Sequence, residues 1–375
     1  MHGPTPESHS VTTPKQQKDE RMTTSVELDS VDAVDLAAAF MAALGTPGDM
    51  AHEIAEHLVD ADLVGHGSHG ISRLPSYAKY VDDKQVVADA RPRVLSGGTS
   101  PIVSAEWGFS HVAARMTTDL ACEQAKTSGL GLAGLVRSTH VGRLGAYIER
   151  AAAEDCIAMA FVGGMGGSRL VAPFGGRSGL LSTNPIAAGF PTASGKPMVI
   201  DFSTAAAPIG KIMVAAMEGR RMPTESLVDA EGRPSDDPTL LDRGGSMRTF
   251  GDHKGFGLAV LVELLGRVLL GSERFADGGG PTFERQGLLI LTVAADSFGG
   301  LSDVLAEAER LRNEIHAVTP AEGFESVLAP GDPERRARER SGGRVTISEG
   351  AWNAIRDAAT RVGIAERIPG PVSVN

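Results

Sequence analysis

Apolar runs with strand character are confined to the middle of this chain. The runs that predict strands lie at 131–136, 157–162, 186–190, 198–202 and 286–294. Apolar residues recur at helical spacing over 32–63, and further helices are predicted at 303–317 and 348–362. The order predicts an α/β fold in which a mixed α/β section over 126–300 lies between two mainly helical ends.

The run Gly129–Gly134 matches the G-x-G-x-x-G dinucleotide fingerprint, but its surroundings are in the wrong order. A Rossmann unit needs a strand before the glycines and a helix after them, so that the pyrophosphate meets a helix N-terminus. Here a predicted helix over 111–127 comes first and an apolar strand follows. We therefore do not assign a cofactor to this motif.

Size, charge and cysteine content narrow the class of protein. The 375 residues, 42% of them hydrophobic, are enough for two or three domains. The net charge of -11 argues against nucleic acid or an anionic membrane as the main partner, and favours a small molecule. Cys122 and Cys156 belong to no close-spaced motif, which is typical of a reducing cytoplasm.

The composition of two segments predicts their structure. Residues 1–28 are rich in Pro, Ser, Thr and charged residues and have no secretory-type apolar run, so we predict a disordered tail. The most apolar segment, Gly255–Gly271, carries Glu263 and Arg267 and falls short of the roughly 20 residues that span a bilayer. It is predicted to be a buried helix.

The first candidate site follows the glycine-flanked run Gly65–Gly70. His69 can give or take a proton near neutral pH, and Arg73 presents a planar fork that matches a carboxylate. Ser68 and Tyr77 add two hydroxyls. Pro75 suits the first turn of a helix through Tyr77, which places His69 and Arg73 on the loop that enters it. The alternative is a structural histidine, a surface arginine and a core tyrosine.

Two other readings of this run are weaker. His66 and His69 have the H-x-x-H spacing of metal sites, but the intervening glycines disfavour a helix and no further ligand is near, so no metal is predicted. Ser68 resembles a serine nucleophile with glycine two residues later, but the glycine expected two residues earlier is replaced by His66. A serine hydrolase remains a remote alternative.

Two further clusters follow. His140 lies between a predicted strand and a helix, where ligand-binding groups collect in α/β sheets; a solvated histidine after a helix cap is the alternative. Lys254 and the backbone amides at the start of the apolar helix would suit a phosphate. The alternative is that Asp252 simply caps this helix.

Taken together, these motifs resemble one enzyme family. The Gly65–Gly70 run with Arg73 and Tyr77 is joined by four further runs, namely 140–145, 182–185, 201–204 and 253–255. The set resembles the malate/L-lactate dehydrogenase family of the sulfolactate dehydrogenase type, which includes ureidoglycolate dehydrogenase, diketogulonate reductase and ketimine reductases. The resemblance runs from about residue 30 to 370.

The resemblance implies a homodimer that binds NAD or NADP on an unusual, non-Rossmann mixed-sheet domain. That domain would be 126–300, and the helical domain would combine 29–125 with 301–375. By position, His69 matches the proposed acid–base histidine and His140 a second histidine that accepts a proton in some members. Ser68, Arg73 and Tyr77 would line the substrate pocket. The residues in dinucleotide-contacting segments would be Thr183, Asn184, Asp201, Ser203, His253, Lys254, Gly331 and Asp332.

The predicted reaction is reversible hydride transfer between NAD(P)H and C2 of a small 2-oxo acid of the malate, lactate, sulfolactate or ureidoglycolate type. Arg73 would hold the carboxylate. His69 would protonate the oxygen, with His140 as an alternative or relay. Besides the hydrolase, two rivals remain: a ketimine reductase acting on a cyclic imine carboxylate, and a binding protein that has lost catalysis.

Overall fold

The computed structural model describes residues 25–96, 98–164, 169–217, 219–276, 285–369 and 372–373. The helices are α1 Ser30–Ala43, α2 Gly48–Leu63, α3 Leu74–Asp82, α4 His111–Ser128, α5 Leu144–Ala153, α6 Ile209–Met217, α7 His253–Glu263, α8 Ser272–Ala276, α9 Leu301–Ala317, α10 Asp332–Ser341 and α11 Glu349–Arg361. The strands are β1 Ser25–Asp29, β2 Arg93–Ser96, β3 Ile102–Ser104, β4 Leu130–Ser138, β5 Cys156–Gly163, β6 Ile186–Phe190, β7 Met198–Phe202, β8 Leu227–Val228, β9 Pro234–Ser235, β10 Ser246–Met247, β11 Gln286–Ala294, β12 Arg344–Ser348 and β13 Val372–Ser373.

A seven-stranded mixed sheet has the strand order β2-β3-β4-β11-β5-β6-β7. Only β3 and β4 run parallel, and all other neighbours in this sheet are antiparallel. In the central strand β11, Ile290 lies opposite Ala133 on one side and Ala160 on the other. The five predicted strands all belong to this sheet, and the mixed α/β fold is confirmed.

Short strands were missed near both chain ends. Ser25–Asp29 forms β1 and pairs with β12 and β13, so the predicted disordered tail is wrong for residues 25–28; residues 1–24 lie outside the described part. β2 and β3 join the large sheet although they fall inside the predicted helical part. Pairing between distant segments stabilises such short strands, and their own composition is too weak a signal.

The two chain ends share one apolar core. Phe40, Ile54 and Leu58 from α1 and α2 are fully buried together with Trp352 and Ile355 from α11. A second core lies between the large sheet and helices α4 and α5. Helix α4 therefore packs with the sheet, although the predicted boundary at 125 placed it in the helical part.

The glycine fingerprint is explained by packing. Gly129 ends α4 with a positive φ of 81°, a conformation that glycine adopts without strain. A Cβ at Gly131 would overlap the Ala121 carbonyl oxygen, and one at Gly134 would overlap Leu270. These glycines allow β4 to approach its neighbours closely.

The apolar helix is longer and more exposed than predicted. The helical run His253–Phe275 has 23 residues, and by length and composition alone it passes as a membrane span. Core helices pass the same test, so this is weak evidence. Only 33% of its most apolar window is buried, and Leu264, Val268 and Leu269 are about half exposed or more, at 49%, 51% and 61%. The prediction of a short, buried helix was wrong.

Two local features lie beside β7. Helix α6 begins at Ile209, and the Ser203 and Thr204 hydroxyls, which precede it, both donate to the Thr183 carbonyl oxygen. The polar stretch 219–252 contains the small sheet β10-β8-β9.

Candidate active site

The loop between α2 and α3 is held by one buried carboxyl group. It consists of two short 3-10 turns, and Pro75 lies in the first turn of α3, as predicted. The Ile71 backbone N–H donates to Asp62 Oδ2 at 2.8 Å. Burial raises the pKa of Asp62 to about 7, against the opposing effect of that hydrogen bond. Asp62 therefore fixes the path of the chain between His69 and Arg73.

Gly70→Ala is expected to destabilise this loop. A Cβ at Gly70 would overlap the Asp62 carboxyl group and break its bond to Ile71. Overpacking of this kind costs about 1–3 kcal/mol. Chemical denaturation should show that loss, and it should shrink in the Asp62→Ala background, which vacates the space. Gly257→Ala, with nothing within 4 Å of the new Cβ, is the matched control; an equal loss in both would contradict this packing account.

Two histidines meet at one buried tyrosine, and a third stacks on one of them. Tyr77 Oη lies 3.0 Å from His140 Nδ1 and 3.3 Å from His111 Nε2. The rings of His69 and His140 stack, with centroids 5.4 Å apart and planes at 22°. Ser68 Oγ lies 3.1 Å from His69 Nδ1. The structure therefore brings the side chains of the first candidate site together with His140, which lies 71 positions after His69 in the sequence. These side chains are Ser68, His69, Arg73 and Tyr77.

Burial keeps these imidazoles uncharged. His69 and His140 are partly exposed, but protein surrounds most of each ring. Burial, helped by the nearby charge of Arg73, lowers the pKa of His69 to about 3 and that of His140 well below its usual value. Burial likewise holds the pKa of His111 well below its usual value. Near neutral pH all three rings are neutral and each carries one N–H.

Arg73 adds the positive charge that an anionic substrate needs. Its guanidinium carbon lies 5.7 Å from the centroid of the Tyr77 ring. Its charge acts on His69, His140 and His111 alike, because it lowers the pKa of each. A guanidinium next to neutral N–H donors is suited to a carboxylate with an adjacent carbonyl.

A second set of contacts fixes the segment that carries His140. The Arg143 backbone N–H donates to His57 Nε2 at 3.0 Å, and its buried guanidinium pairs with Asp60 and Glu149. The Gly145 N–H donates to Asp201 Oδ2 at 2.7 Å. This turn is therefore tied to α2 on one side and to the edge strand β7 on the other.

The segments predicted to contact a dinucleotide lie along β7. Gly331 packs against Pro197 and Val199 at its start, and Asp201 lies within it. Ser203 follows its end and bonds to Thr183. Ala205 pairs with Thr249, which leads to His253 and Lys254 at the start of α7. A Cβ at Gly210, two residues into α6, would touch the Ser68 side chain at 3.5 Å, so the loop between α2 and α3 adjoins the same edge.

Sequence comparison decides the family. The sequence profile of the malate/L-lactate dehydrogenase family matches residues 28–356. The chain belongs to this family. It is similar to an L-lactate dehydrogenase of Cupriavidus necator, with 33% identity over 91% of this chain and 99% of that protein. It is also 35% identical to a (2R)-3-sulfolactate dehydrogenase (NADP(+)) of Chromohalobacter salexigens, over 87% of this chain and 96% of that one.

A solved structure from the same family has this architecture. The Δ1-piperideine-2-carboxylate reductase of Pseudomonas syringae pvar. tomato superimposes with a TM-score of 0.77 at 30% identity, over 88% of this chain and 99% of the reductase. The family named from sequence motifs is therefore confirmed.

Within this dehydrogenase-family chain, two predicted cofactor residues are occupied by internal contacts. Asn184 is fully buried, and its amide donates to the Ala259 carbonyl and to Glu263. The Asp332 carboxylate accepts hydrogen bonds from the Arg312 side chain and from the Ala329 backbone N–H. It also hydrogen-bonds the His316 ring and forms an ion pair with Arg335. His253 and Lys254 are exposed. Each of these four remains a prediction as a cofactor contact.

The two histidines of the H-x-x-H spacing have separate partners. His66 pairs with Glu334 and His69 with Ser68. In the described part of the chain, no three His, Cys, Asp or Glu side chains are grouped to hold a metal ion. Membership of a dehydrogenase family also removes the reason to propose Ser68 as a hydrolytic nucleophile.

Sequence reasoning missed His111, His57 and Asp62. They carry no motif: His111 opens α4, and His57 and Asp62 belong to a helix whose apolar spacing drew attention to other positions. A Cβ at Gly142 would overlap the His57 ring, so the glycine in the 140–145 run was an indirect signal.

Proposed function

We propose that this protein is an NAD(P)-dependent oxidoreductase that transfers a hydride between the nicotinamide and C2 of a small 2-hydroxy or 2-oxo acid. One observation carries the proposal: His140 bonds to Tyr77 and stacks on His69 beside the positive charge of Arg73. A carboxylate anchor and a proton donor then act on the same small anion.

Arg73 would bind the substrate carboxylate through two parallel hydrogen bonds, which fix both charge and orientation. Ser68 and Tyr77 complete the pocket wall. The bound carboxylate would offset the charge of Arg73, which is one cause of the low pKa of His140 and His69. Proton transfer from the protein to the C2 oxygen becomes easier once the substrate is in place.

His140 is the proposed proton carrier, with His69 as its stacked neighbour. A buried tyrosine hydroxyl bonds to His140 Nδ1, which leaves Nε2 to face the substrate oxygen. Among the described residues, the hydrogen-bond partner of His69 is the exposed hydroxyl of Ser68, so its proton position is less fixed. In the oxidative direction the same network takes the proton back.

The dinucleotide would lie along β7 in a non-Rossmann arrangement. Lys254, exposed at the N-terminus of α7, suits a phosphate, and Asn184 Oδ1 is buried with no hydrogen-bond partner among the described residues. Thr183, Ser203, Asp201, His253, Gly331 and Asp332 border the same edge. These residues fit a dinucleotide, which supplies or accepts the hydride when bound.

The second candidate substrate is a cyclic imine with a conjugated carboxylate. The structural similarity to a Δ1-piperideine-2-carboxylate reductase favours it. The same anchor and donor would serve, with the imine nitrogen in place of the carbonyl oxygen.

A substrate panel tests the proposal. Purified protein is mixed with 2-oxo acids and cyclic imine carboxylates, each with NADH and with NADPH, and absorbance of the reduced nicotinamide is followed. We expect turnover of at least one carboxylate with one cofactor. Binding of the reduced cofactor with no oxidation by any substrate would favour a non-catalytic binding protein.

We also infer a homodimer formed through the apolar helix after His253. Its half-exposed side chains Leu264, Val268 and Leu269 form an apolar face, and such faces mark contact sites. The expected sedimentation mass is twice that of one chain. Val268→Lys should shift the protein to monomer, whereas Val31→Lys, at an apolar position elsewhere that is more exposed (65% against 51%), should not. A monomeric native protein would contradict the inference.

The remaining assignments follow from charge, cysteines and core packing. The net charge of -11 supports a small-molecule partner and neither nucleic acid nor an anionic membrane. The free, buried thiols of Cys122 and Cys156 support a reducing cytoplasm, which a disulfide between them in protein from intact cells would contradict. The shared core of the two chain ends supports a helical domain distinct from the sheet domain, testable by limited proteolysis.

A further inference from the structure

His111 is the second imidazole in contact with the Tyr77 hydroxyl. It is the first residue of α4 and is 2% exposed, and its Nε2 lies 3.3 Å from Tyr77 Oη. The same hydroxyl lies 3.0 Å from His140 Nδ1. A tyrosine hydroxyl thus connects two imidazoles, of which His140 is the one proposed to face the substrate.

The hydroxyl has a single proton, so the two nitrogens that face it must have opposite roles. Burial lowers the pKa of both imidazoles well below the usual value, so each is neutral and carries one N–H. Tyr77 can donate to one ring only, and the other ring must donate to its oxygen. Only two arrangements of protons satisfy both contacts.

The second nitrogen of His111 decides between them. Its Nδ1 is buried and has no hydrogen-bond partner among the described residues. An orphaned buried N–H is rarer than an under-satisfied buried acceptor. The positive end of the α4 dipole also favours an unprotonated nitrogen at the first helical residue. The His111 proton therefore belongs on Nε2, where it donates to Tyr77.

We propose that His111 is a positioning residue that sets the tautomer of His140 through Tyr77. His111 Nε2–H donates to Tyr77 Oη, whose own proton goes to His140 Nδ1. His140 must then carry its proton on Nε2, the nitrogen free to face the substrate. This inference rests on the proposed function, in which His140 is the proton carrier.

Reduction of a 2-oxo acid consumes one hydride and one proton. The hydride would come from the reduced nicotinamide, and His140 Nε2–H would pass its proton to the C2 oxygen. Because His140 is partly exposed, a proton from solvent can return to the same nitrogen before the next turnover. Tyr77 keeps its hydrogen bond to Nδ1 throughout, so the starting tautomer of His140 is restored.

The tautomer can be measured in the full-length protein without substrate or cofactor. Nitrogen-15 NMR of labelled histidine distinguishes Nδ1–H from Nε2–H, and the His140 signals are those lost in His140→Asn. We expect Nε2–H in the native protein. A buried polar group without a hydrogen-bond partner costs about 1–3 kcal/mol, which corresponds to roughly a 5- to 150-fold preference for the Nε2–H tautomer of His140. Nδ1–H on His140 in the native protein would overturn the proposal.

Variants test whether His111 is the cause. His111→Leu can neither donate nor accept, so the preference should fall and both His140 tautomers should be populated. His111→Gln keeps an N–H donor and should preserve Nε2–H. Since the competent fraction falls to about half, kcat of the leucine variant should drop only about twofold with KM unchanged. An unchanged tautomer in the leucine variant would contradict the proposal.

Two safeguards keep the outcomes separate. If His111→Leu fails to fold, Tyr77→Phe, which keeps the buried ring, should equally release the His140 tautomer. The predicted tautomers combined with full turnover by His140→Asn would refute the proposed function and leave the His111 inference intact.

Discussion

His140→Asn lowers kcat for 2-oxo acid reduction by about 10²- to 10⁴-fold in our account, the usual contribution of a general acid. The ring that bonds Tyr77 and faces the substrate oxygen is lost, while the Arg73 anchor remains. KM for the acid and the dissociation constant for the reduced cofactor should therefore change little. Steady-state kinetics and fluorescence titration of the cofactor measure these effects.

Two controls isolate the role of this ring. His52→Asn changes an exposed histidine with a 58% accessible side chain and should leave kcat unchanged. His69→Asn removes the stacked neighbour but keeps the Tyr77 contact, so its loss should be smaller. A larger loss for His69→Asn than for His140→Asn would reverse the assignment of the proton carrier.

Arg73→Met should lower kcat/KM for carboxylate substrates by about 10- to 150-fold, because hydrogen bonds to charged groups are worth about 1.5–3 kcal/mol. Much of this loss should appear in KM. Arg73→Lys should recover only part of it, since an ammonium group cannot form the planar pair. A ketone without the carboxylate should react equally slowly with the native protein and the variant. Arg91→Met, at an exposed ion pair, is the control.

Arg73→Met should also change the pH dependence in a definite direction. Burial is the largest cause of the low pKa of His69 and His140, and the charge of Arg73 is the second largest. Removing that charge raises both pKa values, so the imidazoles become protonated at higher pH. The acid limb of kcat/KM should then move to higher pH. An unshifted limb would mean that Arg73 lies too far from the ionising ring.

The nearby members of the site were predictable because they are close in sequence. His69, Arg73 and Tyr77 lie within nine positions, and Pro75 marks the helix start between them. His140 was a candidate from its position between a strand and a helix, but its place beside Tyr77 depends on tertiary packing. His111 was invisible for the same reason and has no motif of its own.

The large sheet shows the same division between local and distant determinants. Continuous apolar runs identified five of its strands, including the edge strand β7. The short strands β2 and β3 have no such run; β3 pairs with β4, and β2 pairs with β3 at the edge of the sheet. The exposure of the helix after His253 was also unpredictable, because an apolar helix that meets a partner and one buried in its own core have similar sequences.

Isotope transfer tests the central claim most directly. Reduced nicotinamide with both C4 hydrogens replaced by deuterium is incubated with the best substrate of the panel, and the product is analysed by mass spectrometry. The account predicts one deuterium, on C2 of the hydroxy acid or the reduced imine, formed quickly by the native protein and far more slowly by His140→Asn. A product without deuterium at C2, or equal rates for the two proteins, would contradict it.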